Sequence, residues 1–281
     1  MLTPKWNLPW LDILPEQLSK SGHDVCVRRQ PPEHMKYDVA VHMWGVGTIP
    51  GDYAKRNVMF FRSYDFYFND FKKVLWDKID HVVNINDAMF MQLKRYVKHE
   101  HSLIYNYVDH SKFRFSNRNH GTQIGMACHV HSKKNIPLAV QILLALPNEY
   151  ELHIAGEMQS RDIEPYIDNV AGTMKRKVYL YGHIPREQMD YWWEDKNYCL
   201  STSIREGSPN NVIKAMSKGI KPIIHAWPGA SEQFDDVFYT VDEAVQLING
   251  DYDSAKYRSI AEHRFGEKNI EKVLRVITGG V

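Results

Sequence analysis

The sequence predicts an α/β protein built on two parallel sheets, and three observations carry that expectation. Short apolar runs alternate with longer amphipathic stretches along the chain. Several of those runs are apolar throughout, and one polar segment parts them into two sets. Strands that alternate with helices form βα units and a parallel sheet. Strands apolar on both sides are those covered on both faces.

In chain order, the candidate strands are 25–28, 39–42, 58–61, 81–85 and 102–105, then 123–126, 151–155, 178–181, 198–201 and 222–225. Helices fit between them. The stretch 10–21 ends at Gly22, a good C-cap, and 87–97 starts behind an Asn86/Asp87 cap. The stretches 137–145, 185–194 and 210–218 follow the same logic, the last closing at Gly219, and one long helix is expected over 257–277. Residues 109–122 are polar and without hydrophobic period, which makes them the linker candidate. The expected domains are 1–113 and 114–255, with 256–281 a C-terminal helix packing back toward the first. Two open sheets joined by one linker place a ligand in the cleft between them, at the carboxyl ends of the strands.

Bulk properties narrow the function classes. A chain of 281 residues is long enough for two ordinary domains. Hydrophobic residues at 43% and charged residues at 25% fit a soluble globular protein. The formal net charge of +1 gives no global field toward nucleic acid or acidic lipid, which leaves a local basic patch open. Cys26, Cys128 and Cys199 stand apart, in no CxxC or metal spacing, and read as structural thiols of a reduced compartment. The start has no basic region followed by an apolar core, and no apolar run approaches the roughly 18 residues of a membrane helix. A cytoplasmic protein is the expectation, its oligomeric state open. The clusters Phe60-Phe61 and Tyr191-Trp192-Trp193 read as core, whereas Phe66 to Phe68, among Asp and Asn, read as partly exposed.

The chemistry concentrates in Ser201 to Gly219, STSIREGSPNNVIKAMSKG. A strand ends near Ser201, a polar loop follows, and Gly207-Ser208-Pro209-Asn210 opens a helix. Free backbone amides and the helix dipole there suit a phosphate or a sugar hydroxyl. Glu206 stands beside them, where a carboxylate accepts hydrogen bonds from hydroxyls. The same residues also read as an ordinary helix capped by Ser208 or Asn210, with Glu206 a solvated dipole partner. The residues alone leave both readings open.

This segment resembles the signature of glycosyltransferase family 4 and its relatives of the GT-B type, in which two Rossmann-like domains face a central cleft. Glu206, Gly207, Pro209, Ala215, Met216 and Gly219 match it. The similarity continues in Leu18 to Val27, in Asp80 to Leu93 (DHVVNINDAMFMQL) and in Ile104 to Phe113 (IYNYVDHSKF). It extends to Lys134-Asn135-Ile136 and to Tyr181-Gly182-His183-Ile184-Pro185. The resemblance implies that Glu206 binds the donor sugar and that the amides of Gly207, Ser208 and Asn210, around Pro209, hold sugar and diphosphate. It implies that Lys134 neutralises the leaving diphosphate, and that Gly182, His183 and Ile184 read the base. It further implies a nucleoside diphosphate sugar as co-substrate, UDP-sugar favoured, retention at the anomeric carbon, and no cofactor or metal. No DxD carboxylate pair in a metal-binding loop stands against that, Asp235-Asp236 being adjacent.

Four departures qualify the resemblance. The signature's second Glu is Lys214, which cannot accept hydrogen bonds from ribose hydroxyls; it either reaches a phosphate, or the ribose contact moves elsewhere. The usual Arg before the phosphate Lys aligns with His129, a pH-dependent cation. The Gly-rich turn after strand one is missing, so the first domain is unusually compact. The first-domain His near the reacting sugar aligns with Arg62, with Tyr64 and Asp65 beside it on the acceptor side. The acceptor is a glycan, free or lipid-linked, or hydroxylated bases of DNA as in phage-type enzymes. For DNA, basic and aromatic residues interleave in Lys55-Arg56, Arg62-Ser63-Tyr64, Lys72-Lys73 and Lys94-Arg95-Tyr96, most of which a solvated helix face explains equally well. The rival reading is a non-catalytic nucleotide- or glycan-binding subunit with a degenerate donor site.

Overall fold

A computed structural model describes residues 9–28, 36–43, 50–62 and 70–280. The chain forms two compact units, 1–108 with 265–281, and 109–264. The sequence reading put these boundaries at 113/114 and 255/256. Helices and strands are numbered separately along the chain.

The first unit holds strands β1 (Tyr37–His42), β2 (Ala54–Phe61), β3 (His81–Asn84) and β4 (Glu100–Leu103), paired in that order and all parallel. Period-two alternation along β2 supplies both faces of this sheet. Val58 and Phe60 join Trp10, Leu14, Val273 and Ile277 from α1 (Pro9–Lys20) and α10 (Lys268–Thr278). Met59 and Phe61 point the other way, into a core with Met89 and Leu93 of α2 (Asp87–Tyr96). The Asn86 cap is realised, its Oδ1 accepting from Met89 N at 3.1 Å. Trp10 is 1% exposed, and its indole N–H donates to Asn106 Oδ1 at 3.1 Å.

The second unit holds β5 (Gln123–Ala127), α3 (Ile136–Ala145), β6 (Glu151–Ala155), α4 (Ile163–Thr173), β7 (Lys177–Gly182), α5 (Arg186–Trp192) and β8 (Tyr198–Ser201). It continues through α6 (Asn210–Ser217), β9 (Lys221–His225), α7 (Ala230–Gln233), β10 (Val237–Phe238), α8 (Val241–Asn249) and α9 (Ser254–Phe265). Its parallel sheet has the order β10-β9-β8-β5-β6-β7. Lys221 is 2% exposed and staples the end of α8 to this sheet, its Nζ donating to the carbonyls of Gly250 at 2.9 Å and Asp251 at 2.7 Å.

Three expectations are corrected. Residues 25–28 form no strand: only Val25 packs against the core, while Cys26, Val27 and Arg28 are exposed, so the run lacks the repeated buried face a sheet strand needs. The single helix over 257–277 is two, α9 and α10, broken at Gly266, where glycine lowers the cost of leaving the helix. The expected linker 109–122 lies within the second unit. Arg118 ties it down, donating to the carbonyls of Glu194 at 2.7 Å, Lys196 at 2.9 Å and Lys218 at 3.2 Å. No described helix is long and apolar enough to cross a membrane.

Candidate functional site

In a parallel sheet all strands present their carboxyl ends at one edge. β5 and β8 are neighbours, with Ile124 opposite Tyr198 and Gly125 opposite Cys199. From that pair the chain builds outward in opposite directions, through β6 to β7 and through β9 to β10. This is a topological switch point, where the loops leaving the two strands diverge and open a crevice at their carboxyl ends. Lys134 lies on the loop after β5 and Glu206 on the loop after β8, so the topology brings together residues far apart in sequence.

Hydrogen bonds stitch the two loops to each other. Thr202 Oγ1 donates to the Lys134 carbonyl at 2.7 Å, and the Ile204 amide donates to the Lys133 carbonyl at 3.0 Å. Asn211 Nδ2 donates to the Ala127 carbonyl at 2.8 Å, across the same strand pair. The loop after β5 makes one turn of 3-10 helix over Ser132–Lys134, and Asn135 then takes a left-handed conformation, φ 48°, to enter α3. Asparagine tolerates that region better than most residues.

Glu206 is the hub. It is 8% exposed, and its Oε1 accepts from Lys134 Nζ and from Ser203 Oγ, the latter at 2.9 Å. Its Oε2 lies 3.4 Å from Lys133 Nζ. Burial alone would push this carboxyl up, but the two lysines and the Ser203 hydroxyl outweigh it and hold Glu206 below the usual carboxylate value. Burial pushes Lys133 below the usual lysine value, against the attraction of Glu206. A buried charge persists only where paired in this way. Glu206 is therefore no solvated dipole partner.

Pro209, not Ser208 or Asn210, occupies the cap position of α6, and it makes no side-chain hydrogen bond to the first-turn amides. Asn210 Oδ1 is buried without a hydrogen-bond partner among the described residues. From behind, Gln233 Nε2 donates to the Gly207 carbonyl at 2.8 Å, and the His225 ring donates to the Ser203 carbonyl at 3.1 Å.

No protein-family model matches the chain, and no curated protein does. Solved structures do. S. aureus TarM, in complex with fondaparinux, α-GlcNAc-glycerol and UDP, superposes with a TM-score of 0.66 at 19% identity, over 80% of this chain and 51% of TarM. HepE of Anabaena, with UDP and glucose, gives 0.69 at 13% identity, over 80% of this chain and 72% of HepE. A glycosyltransferase of Rickettsia africae gives 0.67 at 14% identity, over 99% of this chain and 83% of that one. The chain spans about half the length of TarM. The fold is GT-B.

On this GT-B fold the other expected residues are placed as follows. His129 shares the loop after β5, half exposed, its ring 3.7 Å from Glu157. Gly182 ends β7, the edge strand two places from β5, at φ 66°, and His183 and Ile184 follow it. Lys214 is half-buried on α6, its ammonium 6.0 Å from the centre of the Phe113 ring. Arg62 belongs to the first unit, buried just past β2, and its Nε donates to the Met43 carbonyl at 3.2 Å. Tyr64 and Asp65 lie outside the described residues. The structure thus gathers Lys134, Glu206, Ser208 and Asn210 at one switch point and puts Arg62 in the other unit.

Sequence reasoning missed Lys133, Ser203 and Thr202. The Lys133-Lys134 doublet showed two adjacent cations, but not that both meet one carboxylate. Cys128, in the same loop, is no nucleophile: burial pushes its thiol up to about 11.

Proposed function

We propose that this chain transfers a sugar from a nucleoside diphosphate sugar, a UDP-sugar by preference, to a hydroxyl acceptor. The observation that carries the reading is Glu206 held between Lys133 and Lys134 at the β5/β8 switch point, beside the uncapped amides of α6. An anion-binding helix end, a cation and a hydroxyl-accepting carboxylate are what a sugar diphosphate requires. UDP in the complexes of TarM and HepE supports the choice of base.

In this reading the α6 amides and Lys134 hold the diphosphate, and Glu206 accepts hydrogen bonds from the sugar's hydroxyls. His129 and Lys214 flank the phosphates, and Gly182 to Ile184 meet the base. As the anomeric bond breaks, negative charge grows on the diphosphate, and Lys134 stabilises it there. A diphosphate oxygen takes the acceptor's proton, the new bond forms on the face the diphosphate leaves, and configuration is retained. Lys134 supplies the positive charge, so the reaction needs no metal. Arg62 is assigned to the acceptor side.

The acceptor is a glycan in the first reading, as the α-GlcNAc-glycerol of the TarM complex supports. DNA carrying hydroxylated bases is the second. It is favoured by exposed Lys72, Lys94, Arg95 and Tyr96, the Tyr96 ring lying 5.4 Å from Phe71 beside Lys72. The test is nucleoside diphosphate release from UDP-, GDP-, ADP- and dTDP-sugars, with and without EDTA, with glycan or hydroxymethylated duplex DNA. Acceptor-stimulated, EDTA-resistant release with one donor supports the proposal. Silence from folded protein favours a binding subunit, for which Lys214 in place of a carboxylate is the supporting feature.

A further inference from the structure

The two lysines on Glu206 are not equivalent. Both backbones are tied down, the Lys133 carbonyl by Ile204 N at 3.0 Å and the Lys134 carbonyl by Thr202 Oγ1 at 2.7 Å, but Lys133 has the more buried side chain, 9% exposed, with Nζ 3.4 Å from Oε2. Lys134 shares Oε1 with Ser203 Oγ, and its side chain is 17% exposed. A diphosphate carries more negative charge than one carboxylate and competes for Lys134. Glu206 then loses a partner while still buried, and an uncompensated buried carboxylate takes up a proton and stops accepting from hydroxyls.

We infer that Lys133 is the fixed counter-ion of Glu206, holding its carboxylate ionised and aimed at the donor sugar while Lys134 passes to the diphosphate. This inference rests on the nucleotide-sugar reading of the site. Lys133 is a positioning residue: it acts on the sugar through Glu206 and does not touch the diphosphate. Two features give it that role: it sits against Oε2 rather than the Oε1 that Lys134 and Ser203 share, and its burial keeps water from replacing it.

The test is calorimetric titration of wild type, Lys133→Met, Lys134→Met and Glu206→Gln. The probes are UDP, GDP, ADP and dTDP, each alone and as its glucose and N-acetylglucosamine conjugates. With the nucleotide the wild type takes, Lys133→Met keeps free-diphosphate affinity within about twofold and weakens the sugar conjugate by roughly tenfold to a hundredfold, the weight of a hydrogen bond to a charged group. Lys134→Met weakens both ligands. Glu206→Gln shows the same sugar-selective loss as Lys133→Met, and the double variant Lys133→Met/Glu206→Gln loses no more than Glu206→Gln does. Lys133→Arg, which keeps the cation, retains the conjugate-to-diphosphate ratio. The ratio is read on the protein that stays folded, so a change in melting temperature does not imitate it. Equal binding of both ligands by Lys133→Met and wild type, or equal weakening of both, overturns the inference. A folded wild type that binds none of the nucleotides overturns the donor reading itself.

Discussion

Replacing Glu206 with alanine removes the anion between two cations, and its cost to the fold follows from what is left behind. Lys133 keeps a side chain 9% exposed without the Glu206 carboxylate, and Lys134 one 17% exposed. Deleting one partner of a buried ion pair costs about 3–5 kcal/mol. Lys134 has a way toward solvent, so the lower end applies, about 3 kcal/mol. At 2–4 °C per kcal/mol in a domain of this size, Glu206→Ala melts roughly 6–12 °C below wild type. Glu206→Gln keeps acceptors for Lys134 and Ser203 and costs less, about 1–3 kcal/mol. The pH dependence has a fixed sign. Burial already holds Lys133 below its usual value while Glu206 lifts it, so losing Glu206 lowers it further. A lysine depressed in the fold penalises the fold fully below its folded value, and the penalty fades as pH rises toward about 10.4, the unfolded value. Circular-dichroism melts at pH 7 and 9.5 read both effects. If Glu206→Ala melts with wild type at both pH values, the buried ion-pair account is wrong.

Three further outcomes are expected. At Gly156 an added Cβ would lie 1.8 Å from the Cys128 carbonyl oxygen, so Gly156→Ala loses at least about 2 kcal/mol in urea unfolding; an unchanged midpoint would show that the β5 and β6 loops give way more readily. Trp10→Ala empties a site 1% exposed and removes the hydrogen bond to Asn106 Oδ1, at a cost of about 3–5 kcal/mol, while Trp10→Phe loses mainly the hydrogen bond, about 1–2 kcal/mol; equal losses contradict that division. Burial holds His42, His81, His101, His131 and His153 below the usual histidine value. Their contribution is complete above about pH 6.5 and is lost as pH falls through the folded values. Urea midpoints therefore drop from pH 7.5 to 5, less steeply for His42→Gln, and an equal slope in that variant removes His42 from the account.

Much of this was legible in the chain. The short apolar runs became parallel strands because strands covered on both faces need no polar alternation, as β8 (YCLS, all buried) shows. The Asn86 cap was readable because capping is local. So was the Thr240/Glu243 capping box that opens α8, a helix the sequence reading left out. What escaped was tertiary. The run at 25–28 has the composition of a strand but packs only Val25 against the core, which no local pattern reports. In the site, Glu206 was legible from its neighbours along the chain. The second cation was not, because nothing in a Lys-Lys doublet says that a 3-10 turn points both side chains at one carboxylate. Asn135, holding the left-handed φ that often takes glycine, hid the turn further.

The account stands or falls on the donor diphosphate binding at the β5/β8 switch point through Lys134. The most direct measurement is the affinity of wild type and Lys134→Met for UDP, GDP, ADP and dTDP. The account predicts that wild type selects one of them. It also predicts that Lys134→Met, still folded, loses roughly tenfold to a hundredfold for it, as removal of a charge-assisted contact to phosphate requires. A wild type that binds its nucleotide as tightly without the Lys134 ammonium would place the diphosphate elsewhere and contradict the site.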